Sequence, residues 1–128
     1  MAKTDPFCDH LVDVLRPLGL VTYRFMFGGY GMYADGVLFA IVDDGVFMLK
    51  ADAESKAPFV ERGIGPFQPD PRGKMTMPYF KVPDELLDDQ DELLAWARIA
   101  VEAARRMAAA KATKVGTGKK RGGKVAAG

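Results

Sequence analysis

Three groups of residues in this 128-residue sequence have types and spacings that would suit chemistry. The run Gly28-Gly29-Tyr30-Gly31 has the glycine content of a loop that cradles phosphate groups. The neighbours Asp43 and Asp44 would offer paired carboxylates for acid–base catalysis or for a divalent cation. Cys8 and His10 would supply the thiol and imidazole of a nucleophile and its base.

Each group also has a structural explanation, which we favour. A phosphate loop leads into a helix N-terminus, whereas strand-forming residues flank this glycine run, so a bend in a strand is predicted. Gly45 follows Asp43-Asp44 between two apolar runs, which is typical of a hairpin turn. Cys8 and His10 lie two apart on a predicted helix and so point away from each other. The sequence therefore predicts no catalytic residue, no metal site and no cofactor.

Composition places the chain among small globular proteins. Apolar residues make up 48% of it and aromatic residues 10%, which suffices for one core. No apolar run approaches the ~20 residues that span a bilayer, and the N-terminus lacks the pattern of a secretory signal. One cysteine cannot form an internal disulfide, and with one histidine it is too little for a zinc site. We expect a cytoplasmic protein without membrane contact.

Charge is distributed very unevenly. Residues 1–102 hold all seventeen acidic residues against ten basic ones, a net charge of −7, while residues 103–128 hold eight basic residues and no acidic one. This composition predicts a folded domain over residues 1–107 and a disordered basic tail over residues 108–128, apart from helix that continues a few residues past Met107. Non-specific contact with DNA or RNA through counterion release is the function predicted for the basic residues. They are Arg105, Arg106, Lys111, Lys114, Lys119, Lys120, Arg121 and Lys124. The alternative is a solvated tail that aids solubility or contacts the acidic body.

The elements that would position these residues follow from hydrophobic period and turn signals. Asp5 and Pro6 predict the start of a first helix, and three strands are expected over residues 23–27, 37–42 and 46–50. A second helix over residues 52–62, two short strands and a long helix over residues 89–107 should follow. The order α-β-β-β-α-β-β-α predicts a two-layer α+β fold, with an antiparallel sheet of about five strands packed against helices.

The sheet is predicted to carry many aromatic residues, and alternation would expose some of them. Tyr30, Tyr33 and Tyr79 are the candidates for an interaction surface, although most aromatics are expected in the core. An alternative is a small-molecule or enzymatic pocket between sheet and helices, near Tyr30, Lys50, Lys74 and Tyr79.

Four segments together carry a family resemblance. They are FGGYGMYADGVLFAIVDDGVFMLKAD, GIGPFQP, MPYFKVP and LLAWARIA, in this order. Over Phe7 to Arg106 the sequence resembles the N-terminal domain of the TfoX/Sxy family. The resemblance implies a compact domain with an antiparallel sheet packed against helices.

The same resemblance implies a regulatory function. In longer family members this domain belongs to a regulator of natural competence genes that acts with the cyclic-AMP receptor protein as a transcriptional coactivator, and it is not an enzyme. Those regulators carry a second, helical domain, where this sequence has its basic residues. We therefore expect a non-enzymatic, transcription-related accessory module with a protein partner and tail-mediated nucleic-acid contact, while a homodimer is left open.

Overall fold

The structure is a computed structural model that describes residues 4–26, 28–69 and 75–117, with side chains up to Lys111. Six strands form one antiparallel sheet in the order β1-β2-β3-β4-β6-β5. The helices are α1 (Pro6–Val14), α2 (Ala57–Glu61), α3 (Asp84–Leu87) and α4 (Gln90–Thr117). The strands are β1 (Val21–Met26), β2 (Gly29–Ala34), β3 (Val37–Asp43), β4 (Val46–Lys50), β5 (Pro66–Phe67) and β6 (Met77–Lys81). The α+β class predicted from the sequence is confirmed.

The first helix begins where its capping residues predict. The Asp5 carboxylate accepts a hydrogen bond from the Phe7 backbone N–H at 2.8 Å, and Pro6 occupies the first helical position. The Tyr23 hydroxyl donates to Asp9 at 2.6 Å, which links α1 to β1. A 3₁₀ turn (Arg16–Leu18) follows the helix and contains Pro17.

Strand β2 is the main difference from the predicted order. The glycine run was expected to bend one strand, but only Gly28 has a positive φ, of 78°, and Gly29 and Gly31 lie within a full strand. The reason is close packing: a Cβ on Gly29 would lie 2.4 Å from the Val42 carbonyl oxygen. The glycines therefore admit a neighbouring strand, and the sheet has six strands where about five were expected.

Tight turns join the central strands as predicted. Asp35 and Gly36 have φ values of 49° and 86°, and Asp44 and Gly45 have 52° and 76°. Positive φ at both central residues is the signature of two-residue hairpin turns. The Asp43-Asp44-Gly45 motif thus closes the hairpin between β3 and β4.

The second helix is shorter than the predicted range of 52–62. Asp52 and Ser55 close a turn first, because the Asp52 carboxylate accepts from the Ser55 backbone N–H at 3.0 Å and from its hydroxyl at 2.8 Å. Helix α2 then starts at Ala57, with Pro58 in its first turn, where the missing N–H costs no helical hydrogen bond.

Helix α4 covers the sheet, and its inward stripe is mostly alanine. Ala97, Ala100 and Ala104 are buried, which brings the helix close to β3 and β4. Phe59 of α2 stacks on Phe80 of β6 with ring centroids 5.2 Å apart and meets the edge of Trp96 at 5.0 Å. The helix continues to Thr117, further than the few residues past Met107 that were predicted, and its described side chains from 108 to 111 are exposed. The division at residue 107 stays a prediction, and residues 118–128 lie outside the described part.

Candidate functional site

The sheet has two apolar faces, and the described helices cover one of them. The paired residues Met32, Ala40, Leu49 and Phe80 lie in one row across the sheet and are all buried in the core beneath the helices. Alternation places the next row on the opposite face. That row consists of Arg24, Gly31, Ile41, Met48 and Lys81. We call this second surface the open face, since none of the described helices packs on it.

A groove of about 530 Å³ lies at the open face. Most of its lining is apolar, and Asp43 is the one charged residue among the described residues that form it. Gly31 lets two lining side chains pack close to β2, since a Cβ there would lie 2.7 Å from the Met26 sulfur and 3.0 Å from Leu38 Cδ1. The lining residues are Met26, Gly29, Tyr30, Leu38, Ile41, Val42, Asp43, Phe67, Pro69, Met77 and Tyr79. Volume and lining both fall within the range of binding sites in proteins.

The three tyrosines that are candidates for an interaction surface lie on two faces of the sheet, and their role stays a prediction. The register puts Tyr30 on the same face as Met32, where its ring meets the edges of Tyr23 and Phe25 at 5.5 and 5.6 Å. Tyr33 and Tyr79 lie on the opposite face by the same alternation. Tyr79 is only 3% exposed, so it contributes to the wall of the groove rather than to an outer surface.

Lys50 and Tyr79 form a neighbouring pair on β4 and β6. The Lys50 ammonium lies 5.4 Å from the centre of the Tyr79 ring, within the range of a cation–π contact. Burial, and then the charge of Lys111, lowers the pKa of Lys50. Burial, with a smaller effect of Tyr33, raises the pKa of Tyr79 to about 12. Tyr79 is therefore protonated at neutral pH.

A second cavity lies between the sheet and the helices, where the alternative pocket was expected. It measures about 120 Å³ and is lined mainly by apolar residues. Lys50 and Ser55 border it, but the Ser55 hydroxyl already donates to Asp52. Tyr30 and Tyr79 line the larger groove instead, and Lys74 lies outside the described residues. The residues named for that pocket are thus divided between two cavities.

Two of the predicted nucleic-acid residues are engaged with the acidic body. Arg106 binds the Asp52 carboxylate with two nitrogens, at 2.9 and 3.2 Å, and lies 3.5 Å from Glu54. Arg105 lies 3.6 Å from Asp35. For these two residues the structure shows contact with the body, which was the alternative to nucleic-acid contact.

The other predicted nucleic-acid residues lie further along the chain. Lys111 is exposed on α4. Lys114 belongs to the same helix, without a described side chain. Lys119, Lys120, Arg121 and Lys124 lie outside the described residues. Nucleic-acid contact by these residues stays a prediction.

The Arg106–Asp52 pair gives a testable pH dependence. Its hydrogen bonds hold the pKa of Asp52 well below its usual range. The pKa of an aspartate in the unfolded chain is about 4, so the ion pair stabilises the fold fully above that pH. Its contribution to stability is lost as the pH falls from there through the lowered pKa of the folded state. Arg106→Gln should therefore lower the Tm at pH 7, and the difference from the unmodified protein should shrink in acid.

Thermal unfolding followed by circular dichroism between pH 7 and pH 2 measures this effect. Arg98→Gln is the matched control, because Arg98 is an exposed arginine of the same helix. A Tm difference for Arg106→Gln that stays constant across this pH range would contradict the assigned role of the ion pair.

The residues considered for chemistry take structural positions. Cys8 is fully buried, while His10 is exposed, so thiol and imidazole do not form a dyad. Burial, followed by the charges of Asp5 and Asp9, raises the pKa of the Cys8 thiol to about 12, which keeps it protonated. Within the described residues, no group of three or more His, Cys, Asp and Glu side chains is arranged to hold a metal ion. No described helix is long and apolar enough to cross a membrane.

The groove itself was not predicted, although the sequence contains a signal for it. Residues 37–42 of β3 are apolar without interruption, VLFAIV, where a strand with one solvated face would alternate with polar residues. An uninterrupted run indicates that both faces of the strand are apolar. With helices on one face, the other face had to present Leu38 and Ile41 to a groove or a partner.

Comparison with known proteins agrees with this architecture. The model of the TfoX N-terminal domain matches residues 13–104. Among curated proteins, Protein Sxy of Escherichia coli (strain K12) is 29% identical over 93 residues, which cover 72% of this chain. The chain spans 44% of the length of that relative. Because the family match extends over most of the folded part, the chain belongs to the TfoX N-terminal domain family.

Proposed function

We propose that this chain is a non-enzymatic regulatory module that contacts a protein partner through its folded domain and nucleic acid through its basic C-terminal segment. The observation that carries the first part is the open face of the sheet. Its apolar groove is lined by residues of β1, β2, β3, β5 and β6, a surface of the kind that marks interaction sites. Membership of the TfoX family supports a transcription-related role.

Charge segregation supports the second part of the proposal. Carboxylates of the folded body already engage Arg105 and Arg106, so the cations left for phosphate groups begin at Lys111. The acidic body repels phosphate, which restricts nucleic-acid contact to this segment. Binding of this type is insensitive to base sequence, and specificity for a target gene would come from the protein partner.

A salt titration of DNA binding tests the nucleic-acid part. The full chain is compared with the quadruple variant Lys119→Gln, Lys120→Gln, Arg121→Gln, Lys124→Gln, using one duplex and its scrambled counterpart. We expect both duplexes to bind the unmodified chain equally. We expect the variant to lose about 3 to 4 units from the slope of log K against log salt, since each phosphate contact contributes about 0.9.

The matched control removes the same charge from the folded domain. Arg16, Arg24, Lys56 and Arg98 are all exposed there, and their replacement by glutamine should leave the slope nearly unchanged. A slope that falls with the control and not with the tail variant would place the nucleic-acid contact on the folded domain and refute the assignment to the tail.

A small-molecule site is the second candidate function, and one observation favours it. The groove volume of about 530 Å³ lies within the ~300–1,000 Å³ typical of ligand pockets. The peptide and amine probes described next distinguish the two candidates.

A further inference from the structure

We propose that the groove of the open face binds an apolar peptide segment of a partner protein that carries a lysine or arginine beside its apolar residues. This inference rests on the proposed function and adds to it the surface used and the chemistry of the partner. It is drawn from the lining of the groove, the Asp43 carboxylate within that lining and the charge of the body around it.

The apolar lining determines what fills the groove. Leu38 and Ile41 of β3 and Phe67 of β5 provide apolar side chains, and Met26 of β1 and Met77 of β6 belong to the same lining. Methionine side chains are unbranched and polarizable, so they adapt to apolar groups of different shapes. A volume of about 530 Å³ accommodates several large side chains of a docked segment, which buries apolar area on both partners.

Asp43 determines the charge of the occupant. Among the described residues, its carboxylate is the one charged group in the lining, and none of the described basic residues forms an ion pair with it. Asp43 is partly buried and lies on the same strand face as Ile41, two residues away. A cation at that point would satisfy the carboxylate while adjacent apolar groups enter the groove.

The folded body around the groove carries a net negative charge, as Asp43 does. Residues 1–102 carry a net charge of −7, which attracts a basic segment and disfavours an acidic one. Arg24 and Lys81 flank the open face at opposite ends of one row, but neither lines the groove. The Asp43 carboxylate therefore lies beside the apolar side chains of the groove.

Two short synthetic peptides and one amine test the proposal on the full chain. The peptides share their leucines and differ only in carrying lysines or glutamates at the same positions, and the third probe is hexylamine. Binding is followed by fluorescence anisotropy and by the methyl NMR signals of the methionines. We expect the lysine peptide to bind and to shift the signals of Met26 and Met77. Met32 is fully buried on the other face and Met107 lies on α4, so their signals should not move.

Three variants locate the contact. Asp43→Asn keeps the shape of the residue beside the hairpin turn and should weaken binding of the lysine peptide by about fivefold or more. Ile41→Lys puts a long cation into the groove next to Asp43 and should reduce binding by more than about tenfold. Thr22→Lys adds the same charge to the open face at an exposed position outside the groove. The affinity of this variant for the lysine peptide should stay within about twofold of that of the unmodified chain.

Several results would overturn the proposal. Equal binding of both peptides, or no effect of Asp43→Asn, would remove the charge preference. Binding of hexylamine at the groove without binding of either peptide would make it a small-molecule site. No binding of any probe would reject the groove as a site, while the salt titration with the tail variants would still decide the nucleic-acid part of the proposed function separately.

Discussion

Replacing Phe39 with alanine should destabilise the domain by about 3 to 5 kcal/mol. The side chain is fully buried, and Phe39 is the extra residue of a bulge in β3, between the pairs Met32–Ala40 and Tyr33–Leu38. We expect the truncation to leave a cavity that the surrounding core closes only in part. Since small domains are stable by about 5 to 15 kcal/mol, the loss is a large part of the total.

Urea unfolding measures this loss, and Phe25→Ala is its control. Phe25 lies on β1 and is 46% exposed, so the same truncation should cost less than half as much. With a slope of about 1 to 3 kcal/mol per molar urea, the Phe39 variant should show a midpoint lower by roughly 1 to 5 M. Similar midpoint shifts for both variants would show that Phe39 is not a core residue of this importance.

Adding one methyl group at Gly29 should also have a large effect. Its Cβ would lie 2.4 Å from the backbone oxygen of Val42, and backbone atoms cannot move aside as the end of a flexible side chain can. Relief requires β2 and β3 to separate at the position where Tyr30 pairs with Val42. We expect Gly29→Ala to cost about 2 to 3 kcal/mol.

Two other glycines provide graded controls for Gly29→Ala. A Cβ on Gly65 would meet nothing within 4 Å and its φ is not positive, so Gly65→Ala should be neutral or slightly stabilising. A Cβ on Gly31 would meet the flexible Met26 side chain and the Leu38 methyl group, which predicts an intermediate cost. Equal stabilities of the three variants in urea unfolding would refute this account of β2.

The Phe39 prediction and the groove experiment concern different faces of one strand. Phe39 belongs to the buried core, whereas Leu38 and Ile41 line the groove. Variants of the groove should therefore change peptide binding with little loss of stability, and Phe39→Ala should do the reverse. This separation lets binding defects be distinguished from unfolding.

Much of the fold was predictable because local signals are strong. Asp5 and Pro6 place the start of α1, and the Asp-Gly pairs place two hairpin turns, since each needs a conformation that few residues adopt. The apolar stripe of α4 was also visible from Leu93 to Ala104. These features depend on neighbours along the chain.

Strand β2 and the carboxylate partners of two arginines could not be predicted from neighbours along the chain. Gly29 and Gly31 have low strand propensity, yet they belong to β2 because the adjacent strand and Met26 occupy the space of a side chain. From the sequence, Arg105 and Arg106 were predicted to be available for nucleic-acid contact. Two of their carboxylate partners, Asp52 and Asp35, lie 54 or more residues earlier in the chain.

The sequence alone determined the fold class, the family resemblance and the separation of an acidic body from a basic segment, because composition and short-range periodicity record them. Only the tertiary structure decided which tyrosines share a face, which arginines are engaged, and that a groove lined in part by Asp43 lies opposite the helices. These features depend on strand register and helix placement, which bring together residues far apart in sequence and have no local signature.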